Sequence, residues 1–402
     1  MMSSQEVPQG YQKTKVGIIP NDWDVLRIDN ILQRVRKKVE VELDTNYQQI
    51  GIRSHSKGIF HKELVSGEKL GNKAVFWIEE DCFIVNIVFA WEQAIAKTSK
   101  NEKGMIASHR FPMYRPKDNK VDIDYILYFF KSPRGKYLLG LASPGGAGRN
   151  KTLGQGEFNE LKLPLPSLKE QKKIANILTT WDEAISLQND FIKAKEKLKK
   201  GLMQKLLSRE VRFDGFSDEW KNIKLSEVVN CFDNKRKPLN KLERQKIQGN
   251  IPYYGSTSIV DYINDYIFDE ELILVSEDGG YFYDFETKPI AFYIKGKSWV
   301  NNHAHIIKNK DNTLDLKYLY YSLVHKNITA FLNGGTRAKL NKKDLLLLKI
   351  ILPSIEEQQK IAEVLTNADK EIDLLKNELE ELKEQKKGLM QKLLTGNVRV
   401  KI

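Results

Sequence analysis

The sequence reads Pro166-Ser-Leu-Lys-Glu-Gln-Lys-Lys-Ile-Ala175 and, 187 residues later, Pro353-Ser-Ile-Glu-Glu-Gln-Gln-Lys-Ile-Ala362. The match continues without a gap, and 21 of the 42 aligned positions are identical. Its last nine residues, Lys199–Leu207 and Lys386–Leu394, are the same in both copies. Agreement at one constant offset identifies a duplicated element, and an internal duplication constrains the architecture before any other feature is considered.

Each copy has the pattern of a long helix. Ser167 and Glu170 follow a proline in the spacing of a capping box, and the second copy repeats the arrangement. Apolar residues then recur in alternating steps of four and three, which is the spacing of a left-handed coiled-coil seam. The predicted seam comprises Ile174, Leu178, Trp181, Ile185, Ile361, Leu365, Ile372, Leu375, Leu379 and Leu382, with Leu375 and Leu379 largely buried.

Two helices of this length favour each other as partners. About 40 residues at 1.5 Å each give a helix of roughly 60 Å. The first helix leads the chain away from the first body and the second must return, so the pair is predicted to be antiparallel, with a pseudo-twofold axis through its middle. Gly201 and Gly388 fall at equivalent places in the helices and indicate either close backbone approach or a bend, or else local fraying.

The segments that precede the two helices match only at their ends. Pro20-Asn-Asp-Trp23 resembles Ser217-Asp-Glu-Trp220 at an offset of 197, and Ala147–Pro166 matches Gly334–Pro353 at the offset of 187. No alignment connects the parts between. This indicates one frame that holds two recognition surfaces of different specificity. The predicted domains are a first body at 1–165, a first helix at 166–210, a second body at 211–352 and a second helix at 353–402.

Both bodies have the mixed pattern of an α+β protein. Short apolar runs bounded by glycine and aspartate turns predict strands at Val75–Ile78, Phe83–Phe89, Glu271–Ser276, Ile290–Ile294 and Ala304–Ile307. Helical spacing predicts short helices at Ile123–Phe130 and Leu316–Leu323. The fold class is therefore two mixed α/β bodies joined by two long helices that form an intramolecular antiparallel coiled coil.

The charge balance indicates a polyanionic partner. The chain of 402 residues has 65 Lys+Arg against 53 Asp+Glu, a formal charge of +12. Such an excess is typical of nucleic-acid binding. The longest apolar runs are too short for a membrane helix, no secretory signal is visible, and two distant cysteines form neither a disulfide framework nor a zinc site. We expect a cytoplasmic protein.

Catalytic signatures are missing from the sequence. The loop at 145–152 fails the phosphate-loop spacing because Asn150 stands where the second glycine belongs, and Gly154-Gln-Gly156 lacks the third glycine of a dinucleotide fingerprint. No Asn/Asp-Pro-Pro-aromatic segment of an adenine methyltransferase is present. Asp284 with Glu286-Thr-Lys288 imitates a nuclease core only weakly. We therefore predict no catalytic residue in this chain.

A metal site is also not predicted. His303-Ala-His305 would place two imidazoles on one face of a strand, which is an arrangement that metal sites use. No Cys, Asp or Glu stands nearby in the sequence to complete a ligand set. A packing or hydrogen-bonding pair is the favoured interpretation.

Basic clusters with interleaved aromatic and amide residues are the candidate DNA contacts. Such surfaces bind phosphates and base edges, although any one cluster could equally be a solvated face. The candidates in the first body are Arg53, Lys57, His109, Arg110, Arg115, Arg149 and Lys151, and those in the second are Lys235, Arg236, Lys237, Asn302, His303, Arg337 and Lys339.

This order of body, helix, body and helix resembles the specificity subunit of Type I restriction-modification enzymes. The two Pro-Ser-x-x-Glu-Gln-x-x-Ile-Ala segments carry the resemblance, together with Val16-Gly-Ile-Ile-Pro20, Ile106-Ala-Ser-His-Arg-Phe-Pro112 and Val300-Asn-Asn-His-Ala-His-Ile306. The resemblance spans the whole chain. The bodies correspond to target recognition domains, and these are the parts in which family members diverge. The resemblance therefore identifies no base-contacting residue in this chain.

The resemblance implies a non-catalytic subunit. Each target recognition domain would read one half of an asymmetric, interrupted DNA sequence, and the helices would set the spacer and dock two modification subunits. S-adenosylmethionine, ATP and magnesium would belong to the modification and restriction subunits, so no cofactor is expected in this chain. A stand-alone architectural or regulatory DNA-binding protein is the alternative, and a nuclease with an unrecognised site is a more remote one.

Overall fold

The computed structural model describes residues 7–71, 73–146, 151–334 and 338–402. The chain divides into two compact units: Met1–Gln188 with Glu378–Ile402, and Asn189–Asn377. Each unit therefore contains one body, the start of the helix that follows that body, and the end of the other helix. Within the described ranges, none of the helices combines the length and the apolar character that crossing a bilayer requires.

The first body is built around two four-stranded sheets, to which two-stranded sheets and short helices are added. Its strands are β1 Tyr11–Thr14, β2 Gly17–Pro20, β3 Asp24–Arg27, β4 Leu32–Val35, β5 Asn46–Ile52, β6 Ile59–Ser66, β7 Val75–Trp77, β8 Phe83–Val85, β9 Ile95–Lys97, β10 Ile106–Ser108, β11 Met113–Pro116 and β12 Lys162–Leu165. Its helices are α1 Ile28–Ile31, α2 Gly67–Leu70, α3 Ile123–Lys131, α4 Pro133–Leu141 and α5 Gln155–Glu160. The sheet orders are β6-β5-β10-β7 and β4-β11-β8-β9, and β5 and β10 pair in parallel.

The second body has a corresponding set of elements. Its strands are β13 Lys221–Lys224, β14 Val229–Cys231, β15 Gln248–Tyr254, β16 Ile259–Ile263, β17 Phe268–Asp269, β18 Leu272–Ser276, β19 Ala291–Ile294, β20 Lys297–Val300, β21 Ala304–Asn309, β22 Leu332–Asn333, β23 Lys339–Leu340 and β24 Lys349–Leu352. Its helices are α7 Leu225–Val228, α8 Lys241–Lys246, α9 Leu316–Val324 and α10 Lys342–Leu347. The sheet orders are β16-β15-β20-β17 and β14-β21-β18-β19, and β15 and β20 pair in parallel.

The two bodies thus share one topology that their sequences do not reveal. Replacing β4–β11 of the first body by β14–β21 of the second reproduces both sheet orders and the parallel pair. Short strands tolerate many apolar residues as long as side chains alternate between the two faces, so a strand order can persist when alignment is lost. The duplication therefore extends through both bodies.

The two long helices are α6 Leu168–Leu207 and α11 Ile355–Leu394, as the periodicity predicts. The hydroxyl oxygen of Ser167 accepts a hydrogen bond from the backbone amide of Glu170 at 3.3 Å, and Ser354 caps the second helix in the same way. The predicted capping boxes are only half formed. The Glu170 and Glu357 carboxylates turn into the interior to bind arginines and do not return to the backbone.

The two helices pack antiparallel, which confirms the prediction. In the first unit, Lys386 pairs with Asp182, and Gln188 donates to Glu378 at 3.4 Å. In the second unit, Lys195 pairs with Glu371 at 2.6 Å and Lys199 pairs with Asp369. In both units the residue number rises along α6 as it falls along α11. Lys199 and Lys386 are equivalent in the duplication, as are Asp182 and Asp369, so the lysine of each copy binds the aspartate of the other copy.

The seam is best packed where a body covers it. Ile174 and Leu178 are fully buried with Leu393 in the first core, and Ile361 and Leu365 are fully buried in the second core, where Met203 and Leu206 join them. Ile372 and Leu379 are also buried. Trp181, Ile185, Leu375 and Leu382 are only half-buried.

Of the two leucines predicted to be largely buried, Leu379 is buried and Leu375 is less completely so. Lys195 and Lys199 occupy seam positions of α6 in the same unit, so charged side chains stand where the coiled coil would place apolar ones. Two of the three interpretations of the equivalent glycines are not supported. Gly201 and Gly388 lie inside continuous helices, and a Cβ atom at either position would meet nothing within 4 Å, so neither close approach nor fraying accounts for them, which leaves the predicted bend.

Each unit has one buried carboxylate held by an arginine from the segment after a long helix. Glu357 accepts two hydrogen bonds from Arg212, at 2.9 and 2.7 Å, and one from the indole of Trp220 at 2.8 Å. In the first unit, Arg399 donates to Glu170 at 2.8 and 2.9 Å and also to Asp22. These hydrogen bonds raise the pKa of Arg399, and the same guanidinium lowers the pKa of Asp22.

We expect Arg399→Ala to destabilise the first unit selectively. Glu170 is 1% exposed, and removing its only cation among the described residues leaves a buried carboxylate uncompensated, which is strongly destabilising. The melting temperature should fall by roughly 5 °C. Hydrogen exchange should accelerate in α3 and not in α9. Arg212→Ala should produce the converse pattern, and the exposed Lys401→Ala is the control. Equal protection of α3 in Arg399→Ala and in the control would contradict this expectation.

Candidate nucleic-acid interface

Four segments meet at one end of the first body. They are the β5–β6 turn at 53–58, the β8–β9 loop at 86–94, the β10–β11 loop at 109–112 and the stretch that leads into α5. The amide of Ile87 donates to the carbonyl of Arg110 at 3.0 Å, and the amide of Leu153 donates to the carbonyl of Ile87 at 2.8 Å. The amide of His55 donates to Glu92 at 2.7 Å. We call this set of segments the first loop end.

The second body has the same arrangement at the same end of its sheets. Its segments are the β15–β16 turn at 255–258, the β18–β19 loop at 277–290, the β20–β21 loop at 301–303 and the stretch that leads into α10. The amide of Glu277 donates to the carbonyl of His303 at 2.9 Å, and the amide of Leu340 donates to the carbonyl of Glu277 at 2.8 Å. Ser256 also donates to the carbonyl of Asp278. We call this set the second loop end.

Most predicted residues of the first body that the structure describes lie at the first loop end. Arg53, Lys57, His109 and Arg110 are exposed there. The Lys151 ammonium lies 5.6 Å from the centre of the Trp91 ring, a cation–π contact between two of the segments. One predicted residue is not part of this cluster, and another cannot be placed relative to it. Arg115 lies on β11, where its partner in β4 is Gln33, and Arg149 lies outside the described residues.

The predicted residues of the second body differ in exposure and in the partners that they bind. Lys235, Lys237 and Asn302 are exposed. The Lys235 ammonium lies 4.9 Å from the centre of the Phe232 ring, and that of Lys237 lies 5.6 Å from the centre of the Trp299 ring. Lys339 pairs with Glu277 at 3.0 Å. Arg337 lies outside the described residues.

Arg236 is the support of the second loop end. Its guanidinium binds the Glu277 carboxylate, donates to the carbonyl of Ala304 at 3.1 Å, and lies 3.6 Å from the Asp233 carboxylate. Burial would raise the pKa of Asp233, but the hydrogen bond from His305 and the nearby positive charges lower it to about 2. Arg236 is therefore held by carboxylates in the interior, where it orders the loops.

The two histidines of the His-Ala-His stretch have separate environments. His303 precedes β21 and does not share a strand face with His305, and its Nδ1 lies 2.9 Å from Asp278. His305 is buried, with Nδ1 at 2.6 Å from Asp233 and Nε2 at 2.8 Å from the carbonyl oxygen of Leu340. Both side chains are hydrogen-bonded.

The sequence predicts no acidic or thiol side chain near these histidines, and this prediction is wrong because the fold brings two such side chains to His305. Strand β14 pairs with β21 and brings Cys231 and Asp233 to His305, with possible ligand atoms within 4.8 Å of one another. Burial and the Asp233 carboxylate raise the pKa of the Cys231 thiol to about 12. Both nitrogens of His305 already have protein partners, so this trio is a hydrogen-bonded core cluster.

Sequence reasoning missed the residues that hold the loops together. Asp278, Ser256 and Asn301 link three segments that are distant in the chain, Asn301 through its backbone amide, which donates to the carbonyl of Tyr254. The Asp278-Gly-Gly280 turn was visible as a turn, but its partner His303 was not. The exposed rings of Tyr281 and Tyr283 on the same loop were also missed, although aromatic side chains in a turn are a detectable signal.

Two bodies of one topology with different loop ends, each packed on the paired long helices, define a protein with two related but unlike domains. The chain belongs to the family of Type I restriction modification DNA specificity domains, whose profile matches residues 20–197 and 217–384. The family resemblance is confirmed. The protein is a DNA sequence-specificity subunit of a type I restriction-modification enzyme and is not itself catalytic.

Relatives and solved structures agree with this assignment. The MjaVIII specificity subunit of a type I restriction enzyme from Methanocaldococcus jannaschii is 26% identical over 435 residues, covering 95% of this chain and 94% of its own. The S subunit of a type I restriction-modification system from M. genitalium has a similar fold, with a TM-score of 0.60 at 18% identity. That match covers 92% of this chain and 96% of the other. The HsdS subunit from Thermoanaerobacter tengcongensis matches with a TM-score of 0.50 at 17% identity and covers 94% and 98% of the two chains.

Proposed function

We propose that each loop end reads one half of an asymmetric DNA target, and that α6 and α11 set the distance between the halves. The observation that supports this most directly is the shared topology of the two bodies with different residues in their corresponding loops. A shared frame presents both loop ends in one geometry, while different side chains select different bases. Such a division produces two unlike half-sites.

The loop ends have the chemistry that DNA readout needs. Exposed lysine and arginine side chains bind phosphates and give affinity without sequence information. Arg110, His109, Asn302 and His303 offer the donors and acceptors that distinguish base edges in the major groove. We assign the phosphate contacts to Lys57, Lys235 and the other exposed lysines. We assign base reading to the β10–β11 and β20–β21 loops.

The duplicated helix ends support a pair of identical partners. Lys199–Leu207 and Lys386–Leu394 have the same sequence, and Gln204, Lys205, Gln391 and Lys392 are exposed on them. One partner surface can therefore bind twice. We propose that two modification subunits dock there, with S-adenosylmethionine bound to them, and that restriction subunits using ATP and magnesium join this core.

We expect the chain alone to leave DNA unmethylated and uncut. With its modification subunit it should methylate one bipartite sequence. The measurement is sequencing of methylated bases in plasmid DNA after incubation with each protein alone and with both. The modification subunit alone is the control for methylation without sequence selection. Sequence-specific methylation by this chain in the absence of the partner would overturn the proposal.

A further inference from the structure

Arg110 and His303 occupy the same backbone position in their two bodies. Each lies in the loop between corresponding strands, β10–β11 and β20–β21. The carbonyl of Arg110 accepts from Ile87, the second residue after β8, and the carbonyl of Ile87 accepts from Leu153. In the same way, the carbonyl of His303 accepts from Glu277, the first residue after β18, and the carbonyl of Glu277 accepts from Leu340. Leu153 and Leu340 are themselves matched at the offset of 187. Three segments fix each position, so a side chain there is presented from a rigid support.

The two side chains present different hydrogen-bonding groups. Arg110 is exposed, and within the described residues its guanidinium has no hydrogen bond or ion pair. It offers the fork of donors that fits O6 and N7 of guanine. His303 is 42% exposed and is held through Nδ1 by the Asp278 carboxylate, which is itself only 17% exposed.

The Asp278 carboxylate sets what His303 offers. A carboxylate only accepts, so Nδ1 carries the proton and donates to Asp278. In the neutral imidazole, Nε2 then presents a lone pair, and no described residue binds it. Such a lone pair accepts from an exocyclic amino group, which adenine and cytosine present in the major groove and guanine does not.

We infer that Arg110 and His303 are equivalent base-reading residues, Arg110 for a guanine in one half-site and His303, positioned by Asp278, for an adenine or cytosine amino group in the other. This inference rests on the proposed function and adds the residues and base classes to it. Because the two positions share a backbone frame, the side chain at each sets the base that its half-site selects.

The test exchanges the chemistry at each position in the full complex with the modification subunit. The natural target is first mapped by sequencing methylated bases, and methylation rates are then measured on duplexes with every single base-pair change. His303→Arg should shift the preference at one base pair of one half-site to guanine. Arg110→Gln should shift one base pair of the other half-site from guanine to adenine. Each change in discrimination should be roughly 5- to 150-fold.

Matched variants separate base reading from general damage. Lys100→Gln and Lys295→Gln change exposed lysines that follow β9 and β19, away from the loop ends, and should leave every preference unchanged. Asp278→Ala should lower discrimination at the base pair read by His303. Asp278→Asn keeps an oxygen that accepts from Nδ1, so this variant should retain the discrimination at that base pair. A merely structural role for Asp278 would lower the rate on all duplexes equally in both variants.

The outcomes distinguish this inference from the proposed function. A natural complex that methylates no bipartite sequence would overturn the proposed function. A natural complex with a bipartite target that both His303→Arg and Arg110→Gln leave unchanged would overturn only the inference, as would a change of both half-sites by either variant.

Discussion

Replacing residues 1–165 by the first body of a relative should exchange one half of the recognised DNA sequence and leave the other half intact. The loop end of the incoming body selects its own bases, while the second body keeps its own core, which contains no residue of 1–165. The measurement is sequencing of methylated bases for the chimera with the host modification subunit. The reciprocal exchange of 211–352 is the matched control.

The structure shows which host residues the incoming body must fit. Leu393 and Leu394 belong to the first core, and Gln171 accepts from the amide of Asp122 at 2.9 Å and donates to the carbonyl of Pro166. A suitable donor therefore keeps the Asp122 turn and the apolar residues that cover the start of α6. A soluble chimera in which both half-sites changed together would show that the bodies do not read DNA independently.

The helices could be predicted because their information is local. A seam of apolar residues at coiled-coil spacing and a capping serine after a proline need no knowledge of distant segments. The lysine–aspartate pairs between α6 and α11 follow from the same duplication, since Lys199 and Lys386 are equivalent and so are Asp182 and Asp369. The sequence also predicts that the middle of the seam is weak in the first copy, because Gln188, Lys195 and Lys199 fall on it.

The order of the strands in the bodies was not predictable in the same way. Strands of two to eight residues carry little register information, and the parallel pairs β5–β10 and β15–β20 join segments about 50 residues apart. The support of the candidate interface depends on such nonlocal pairs. Arg236 lies in a basic cluster and was predicted to contact DNA. The chain around β18 and β21 brings carboxylates and carbonyls to it and places it in the interior.

One missed contact did leave a signal in the sequence. Arg212 and Arg399 stand 187 residues apart, the same offset as the helices, so the segment after the second helix repeats the one after the first. The repeat then continues at the N-terminus, where Trp23 corresponds to Trp220. Arg212 lies over the ring of Trp220 and Arg399 over that of Trp23, at 5.6 and 5.9 Å. The C-terminal tail thus completes the first body as residues 208–220 complete the second.

Lengthening both helices by four residues should lengthen the spacer of the DNA target while preserving both half-sites. The boundary between the two compact units falls after Gln188 in α6 and after Asn377 in α11, and the hydrogen bond from Gln188 to Glu378 places these points opposite each other. Four helical residues are inserted at each point. They extend the pair by about 6 Å and turn it by about one full turn plus 40°.

The length of the insertion decides whether binding survives. DNA half-sites one or two base pairs further apart are displaced by about 3.4 or 6.8 Å and rotated by about 35° or 70°. Four residues give a displacement near that of two base pairs and a net rotation near that of one, and they keep the seam nearly in phase. A single residue adds only about 1.5 Å but rotates the helix by about 100°, which moves the seam residues off the interface and misaligns the half-sites.

The matched experiment therefore compares insertions of one and four residues at the same two points, each combined with the modification subunit. Sequencing of methylated bases should show the original half-sites with one or two more base pairs between them for the four-residue variant, and no methylation for the one-residue variant. The natural protein with the same positions substituted but not lengthened is the control. Methylation of the original target at the natural rate by the four-residue variant would show that α6 and α11 do not set the spacer.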